Sequence, residues 1–202
     1  MDESVKQAMA KWPNVPHCYG WLALDARGRW RMRDAQTQAL GLPGDKIAHA
    51  ALVGFINRNY LHDGLGRWYF QNGPQRVYVN LEATPYIART DPAHGFVLHT
   101  GEILPVVDSA WMTETGRLVL QGEGKIAQVD DRDMAQCMND LRIDDGPVSD
   151  RQLLAWLNRT GKSTKMSLLH SGRNIVVRRI AHDAVPKHFG FVQAPQPDET
   201  RA

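Results

Sequence analysis

The sequence holds only two cysteines in 202 residues, Cys18 and Cys137. So few thiols exclude a disulfide scaffold and a structural zinc site built mainly from thiolates, and a reducing compartment is the default expectation. Long apolar runs are also missing: the longest, Ala50 to Ile56, is far short of the roughly 20 residues that cross a bilayer. Charge of one sign is lacking too, since 24 Lys and Arg stand against 22 Asp and Glu. That balance provides no bulk steering toward nucleic acid or an anionic membrane. Met1-Asp2-Glu3-Ser4 places acid where a signal peptide needs base, and no apolar segment follows it. These absences lead to the expectation of a soluble cytoplasmic protein with no membrane association. What is present is an ordinary globular composition, 43% hydrophobic and 8% aromatic, at a length between one domain and two.

Val5, Met9 and Trp12 share one face of a short helix over about residues 3–12, which Pro13 stops. Residues 18–24 and 29–33 read as a β-hairpin around Asp25-Ala26-Arg27-Gly28, with Arg29, Arg31 and Arg33 on one face and Trp30 and Met32 on the other. Asp45 is placed to cap a helix with Ile47, Ala51, Leu52, Phe55 and Ile56 inward, ending near Asn59. A second hairpin joins 67–70 to 76–81 through Asn72-Gly73. Residues 89–95 are the most linker-like stretch, and short strands are expected over 96–98, 103–107 and 117–120. Asp130 or Asp131 then opens a helix with Met134, Cys137, Met138 and Leu141 on its apolar stripe, and Ser149 or Asp150 opens another with Leu153, Leu154 and Leu157 inward. A last hairpin, 166–169 with 174–180, precedes an extended segment from Val185 to Val192 and a tail, 194–202, expected to be mobile and to bury nothing.

Leu52-Val53-Gly54-Phe55-Ile56-Asn57-Arg58 matches Leu153-Leu154-Ala155-Trp156-Leu157-Asn158-Arg159 position for position, an offset of 101 residues. Each helix leads into a hairpin, and Gly28-Arg29-Trp30 has a counterpart in Gly116-Arg117-Leu118 at an offset of 88. The reading is therefore an α+β fold of two similar subdomains, each with antiparallel hairpins packed on a helix, plus a short N-terminal helix. The expected divisions are 1–19 for the N-terminal helix and entry, 20–90 and 91–193 for the two repeats, and 194–202 for the tail.

The stretches Gly28-Arg29-Trp30, Ile47-Ala48-His49, Arg67-Trp68-Tyr69-Phe70 and Val77 to Tyr86 resemble an uncharacterised proteobacterial domain-of-unknown-function family with repeated α+β motifs, as do Gly124-Lys125-Ile126-Ala127, Arg132 and Met134. The resemblance spans about residues 20–142. It implies two similar α+β subdomains and a role in signal transduction, and it carries over no catalytic residues.

Chemistry is sparse. Gly161-Lys162-Ser163 ends like a phosphate-binding loop, but Trp156 stands where that motif needs its first glycine, and a helix precedes it. The eight histidines show no ligand spacing, so no metal and no cofactor is expected. No nucleophile elbow surrounds any serine, and Cys137 reads as a small buried hydrophobe. Asp130, Asp131 and Asp133 suit a first helical turn. Charge is nevertheless segregated: residues 123–150 hold eight acids against three bases, and 151–202 nine bases against three acids. The two stretches can pair internally or serve as partner surfaces.

The favoured function is a non-catalytic bacterial ligand- or protein-binding regulatory module. Its anionic partner is met by Arg29, Arg31, Arg33, Arg76 and Tyr78, because guanidinium groups hold carboxylate or phosphate bidentately. The alternative is a hydrolase or transferase whose His and Asp residues assemble only in space. Nucleic-acid binding through the basic C-terminal stretch is disfavoured, since aromatic and basic residues do not alternate there.

Overall fold

Residues 1–158 and 164–198 are described by the structure, a computed structural model. The fold is α+β, with a six-stranded and a nine-stranded sheet and six α-helices among the described residues. Contacts divide the chain into two compact units, Met1–Ala83 with the chain from Gly190 onward, and Thr84–Phe189. No helix among the described residues is long and apolar enough to cross a membrane.

The first unit begins with α1 (Glu3–Lys11), which buries Val5. The hairpin β1 (Cys18–Leu24) and β2 (Trp30–Met32) follows, then a short helix α2 (Ala35–Ala39), β3 (Asp45–Lys46) and α3 (Ala50–Arg58). β4 (Tyr60–His62), β5 (Trp68–Asn72) and β6 (Gln75–Leu81) complete a sheet of order β3-β2-β1-β6-β5-β4. All its pairs are antiparallel except β1 with β6. The helix expected from Asp45 instead starts five residues later. Asp45 and Lys46 pair with Met32 and Arg31, and the His49 ring caps α3 by accepting from the Leu52 amide at 3.2 Å. A strand partner satisfies the backbone at 45–46, which a helix would have left to side-chain caps.

Strand pairing sorts the side chains. Leu22, Leu24, Trp30, Phe70, Val79 and Leu81 lie on the α3 face, where the Trp30 indole donates to Asn57 at 2.7 Å and Phe55 meets Phe70 edge-on at 5.4 Å. Burying six large apolar side chains at about 1.5–3 kcal/mol each supplies the local driving force. Arg31, Ala23 and Asn80 are lateral neighbours on the opposite face, with Tyr69 and Tyr78, Gln71 and Arg76 beyond them. The returning chain adds to this unit: Leu81 donates its amide to the Gln193 carbonyl at 2.7 Å, Pro195 is buried, and Asp198 accepts from Arg67 at 2.6 Å. Part of the tail expected to bury nothing thus packs, because β6 and Arg67 offer it hydrogen-bond donors.

The second unit comprises β7 (Tyr86–Asp91), β8 (Gly95–Leu98), β9 (Ser109–Thr113), β10 (Leu118–Gly122), β11 (Lys125–Val129), α4 (Met134–Met138), β12 (Leu141–Ile143) and β13 (Gly146–Pro147). α5 (Asp150–Leu157), β14 (Met166–His170), β15 (Arg173–Ile180) and α6 (Val185–Phe189) follow. Its sheet order is β13-β12-β14-β15-β9-β10-β11-β7-β8, with β15–β9 and β11–β7 parallel. The sheet wraps a core that includes Leu104, Met112, Leu118, Leu120, Cys137, Leu141, Trp156 and Leu168.

Several local expectations change here. Residues 89–91 are strand, not linker, since they pair with Val97, Phe96 and Gly95 of β8. Residues 103–107 form no strand beyond the single bridge Val97–Ile103, whereas Ser109–Thr113 does. Ser149 and Gln152 form a capping box on α5; Leu153 and Leu157 pack against the core as expected, but Leu154 is 58% exposed and the fully buried residue is Trp156. The carbonyl of Trp156 is held by Arg179, whose guanidinium stacks 3.9 Å from the Trp156 ring. Val185 opens a helix rather than an extended segment, because Pro186 sits in the first turn, where its missing amide is not needed. The Gly161-Lys162-Ser163 motif lies outside the described residues.

Candidate functional site

The five residues predicted for ligand binding share the face of the first sheet opposite α3, but the structure splits them into two places on it. Arg31 and Arg33 line a cavity of about 390 Å³ together with Asp25, Asn80, Glu82 and the returning Gln193 and Ala194. Arg31 lies in β2 and Arg33 follows its end, two positions on, and both line that cavity. Arg31 is already engaged, placing Nε and Nη2 at 2.9 and 2.8 Å from Oδ2 of Asp25. Arg33 donates Nε to the Leu42 carbonyl at 3.1 Å and Nη1 to Gly20 at 3.5 Å. Asn80 Oδ1 is buried with no partner among the described residues. Arg29 lies just before β2, and its side chain has no partner among the described residues.

Arg76 and Tyr78 lie further along β6 in an aromatic cluster. Tyr78 stacks on Tyr19 at 4.6 Å, meets Tyr69 and His17 edge-on, and donates its hydroxyl to Asp63 at 3.1 Å. At 1% exposure it is a support, not a contact surface. Arg76 rests 4.7 Å over the Tyr69 ring with no carboxylate partner among the described residues. Burial pushes His17 down, and the positive charges of Arg76 and Arg67 act in the same sense. Burial works to raise Asp63, but the bonds from Arg67, two backbone amides and Tyr78 hold it below the ordinary carboxylate range.

Sequence reasoning missed a larger cavity, about 1180 Å³, in the second unit. The turn between β7 and β8 forms one wall and β14 another. The sheet curls so that His170 of β14 packs 5.2 Å from Phe96 of β8. Gly95 permits the approach: its φ is +76°, and a Cβ there would stand 2.4 Å from Cε1 of His170. Asp91 accepts from the His94 ring at 2.9 Å and from the amides of Ala93 and His94, and these bonds hold its carboxyl below the usual range. The spacing Asp91-Pro92-Ala93-His94 was the one signal available in the sequence.

The other chemical candidates have structural roles. Cys137 is buried, and its thiol is pushed up to about 12 by that burial with help from Asp140 and Asp133. Asp130 is fully buried, and although burial favours its neutral form, the Arg132 side chain and amide bring it down to about 2. Asp133 accepts from the Thr90 amide at 2.8 Å and pairs with Arg89. Among the described residues no group of three His, Cys, Asp or Glu is arranged to hold a metal ion.

A family model, DUF2944, described as Protein of unknown function (DUF2946), matches residues 1–196. The chain belongs to that family. No curated protein matches this DUF2944 chain. Among solved structures it is similar to a DUF1285 family protein from Silicibacter pomeroyi DSS-3, with 13% identity, TM-score 0.49, and coverage of 85% of this chain and 86% of the other. It is also similar to a DUF1285 family protein from Shewanella baltica OS155, with 15% identity, TM-score 0.38, and coverage of 55% of this chain and 85% of the other.

Proposed function

We propose that this chain is a non-catalytic binding module with a regulatory or signalling role in the bacterial cytoplasm, recognising a small anionic ligand on the arginine-bearing face of its first unit. The observation that carries this reading is the 390 Å³ cavity lined by Arg31 and Arg33, into whose wall a buried, unpartnered Asn80 oxygen is set. Its volume falls in the ordinary range for small-molecule sites, about 300–1,000 Å³. A ligand that accepts from the Arg33 guanidinium and donates to Asn80, such as a hydroxy acid or a phosphate ester with a free hydroxyl, fits both demands. Arg29 and Arg76 add positive potential on the same face. The test is a thermal-shift titration with phosphate, citrate and a nucleoside monophosphate. A saturable rise in Tm, lost in Arg33→Gln, is expected; no rise with any of the three overturns the reading.

We also read the two units as one motif used twice. Supporting this, β2-β1-β6-β5 and β10-β9-β15-β14 have the same order, each with its central pair parallel. Leu24 pairs with Leu81, and Met112 pairs with Arg179, equivalent positions at offsets of 88 and 98. Gly28 and Gly116 close matching turns at φ of +73° and +77°. The helix N-caps, His49 and Ser149, and the buried Ile56 and Trp156 are each 100 apart, one less than the heptapeptide match.

A second reading, a hydrolase or transferase, is favoured by one observation: the Asp91–His94 pair lines the large cavity of the second unit. A carboxylate that orients an imidazole is the usual support of a general base. Turnover of activated esters that disappears in His94→Ala supports this reading, and unchanged turnover in that variant overturns it.

A further inference from the structure

The 1180 Å³ cavity of the second unit has an unusual polar inventory. Its charged lining residues among those described are Asp91, Glu123 and Asp140, with no Lys or Arg. The Asp140 carboxylate has no partner among the described residues. The three bonds that Asp91 accepts all fall on Oδ1, which leaves Oδ2 open. Glu123 is met only distantly, 3.9 Å from the Lys125 ammonium.

His170 supplies an independent sign. It is 92% buried, at 8% exposure, and it lines this cavity. Its Nε2 lies 3.4 Å from the Pro105 carbonyl. A carbonyl only accepts, so Nε2 carries the hydrogen, and in the neutral ring Nδ1 offers a lone pair. That nitrogen has no partner among the described residues, and the ring lines the cavity beside Gly95. It is thus an acceptor on the cavity wall that a ligand N–H can reach. The wall also presents acceptors beside apolar Phe96 and Leu168. Such a surface matches a ligand with a positively charged nitrogen, several N–H donors and a hydrocarbon body, and it repels carboxylates.

We infer that this cavity is a binding site for an organic ammonium ion, an alkyl or arylalkyl amine in its protonated form. The ammonium is held by Asp140 with Asp91 Oδ2, a further N–H reaches His170, and the hydrocarbon lies on Phe96 and Leu168. The site belongs to the second unit and does not depend on the anion reading of the first.

Isothermal titration at low salt with phenethylammonium and spermidine tests it, with phenethyl alcohol and phenylacetate as the uncharged and anionic counterparts. Saturable binding of the two amines and none of phenylacetate is expected. Asp140→Asn should weaken amine binding about tenfold or more, the size of a charge-assisted contact. Ile103→Trp, at a 42% exposed position on the cavity wall, fills the space without removing charge and should abolish binding. Asp45→Asn, on an exposed residue of the first unit, should leave it unchanged. Amine affinity no better than that of phenethyl alcohol overturns the inference. So does equal loss in Asp45→Asn and Asp140→Asn, or amine binding undiminished by Ile103→Trp.

Discussion

Arg31 and Asp25 face each other across the first hairpin, with two guanidinium nitrogens within 2.9 Å of one carboxylate oxygen. The same Asp25 ties the turn by accepting the amides of Arg27 and Arg29 on Oδ1. The arginine best placed for an anionic ligand is therefore neutralised from within. Asp25→Asn keeps the turn acceptor and removes the charge. We expect a loss of about 1–3 kcal/mol in stability, because a half-buried guanidinium is left unpaired. Phosphate affinity should rise over wild type in the same thermal-shift titration. A fall in affinity would mean that Arg31 does not face the ligand.

Asp130 makes stability depend on acid. Its folded-state carboxyl lies at about 2 against an ordinary 3.8. A depressed carboxyl contributes stability that is fully present above the unfolded value and lost as pH falls through the folded one. The contribution should therefore disappear between about pH 4 and pH 2. Urea midpoints measured across that window should fall more steeply for wild type than for Asp130→Asn. Parallel curves would show that the Arg132 contact adds nothing.

Gly95→Ala asks how rigid the wall of the large cavity is. The new methyl group meets both a left-handed φ and the His170 ring at 2.4 Å. A cost of about 1–3 kcal/mol is expected, read from the urea midpoint. Little or no change would show that His170 is free to swing away.

α5 offers a test of helical register. Trp156→Ala should cost about 3–5 kcal/mol, since it empties a core position and removes the ring under Arg179. Leu154→Gln should stay within about 0.5 kcal/mol, because that side chain is mostly in solvent. The reverse ranking would place the helix one turn-step from its described orientation.

The candidate site was only partly legible. The alternation Arg29, Arg31, Arg33 and the β6 pattern through Arg76 and Tyr78 correctly put these residues on one face, because side chains in a strand alternate with a period of two. Their hydrogen-bond partners were not legible. Leu42 and Gly44 reach the arginines through a loop, and Asp63 lies 15 residues from the Tyr78 hydroxyl it receives. The cavity of the second unit was less legible still, since Asp91, Asp140 and His170 come from three separate segments.

By itself the sequence determined what local physics controls. Periodicity located the hairpins at 18–33, 67–81 and 166–180, and Ser149 or Asp150 was placed to open α5, which Ser149 caps. The succession of hairpins and helices set an α+β fold, and the apolar stripe of a helix set Cys137 as a buried residue. Tertiary structure alone decided that Trp156 rather than Leu154 is buried on α5, that residues 89–91 join a sheet, and that Val185 begins a helix. The curl that brings His170 to Gly95 is likewise tertiary. Each of these depends on a partner distant in the chain, and a strand or helix stripe has no local signal for which neighbour will cover it.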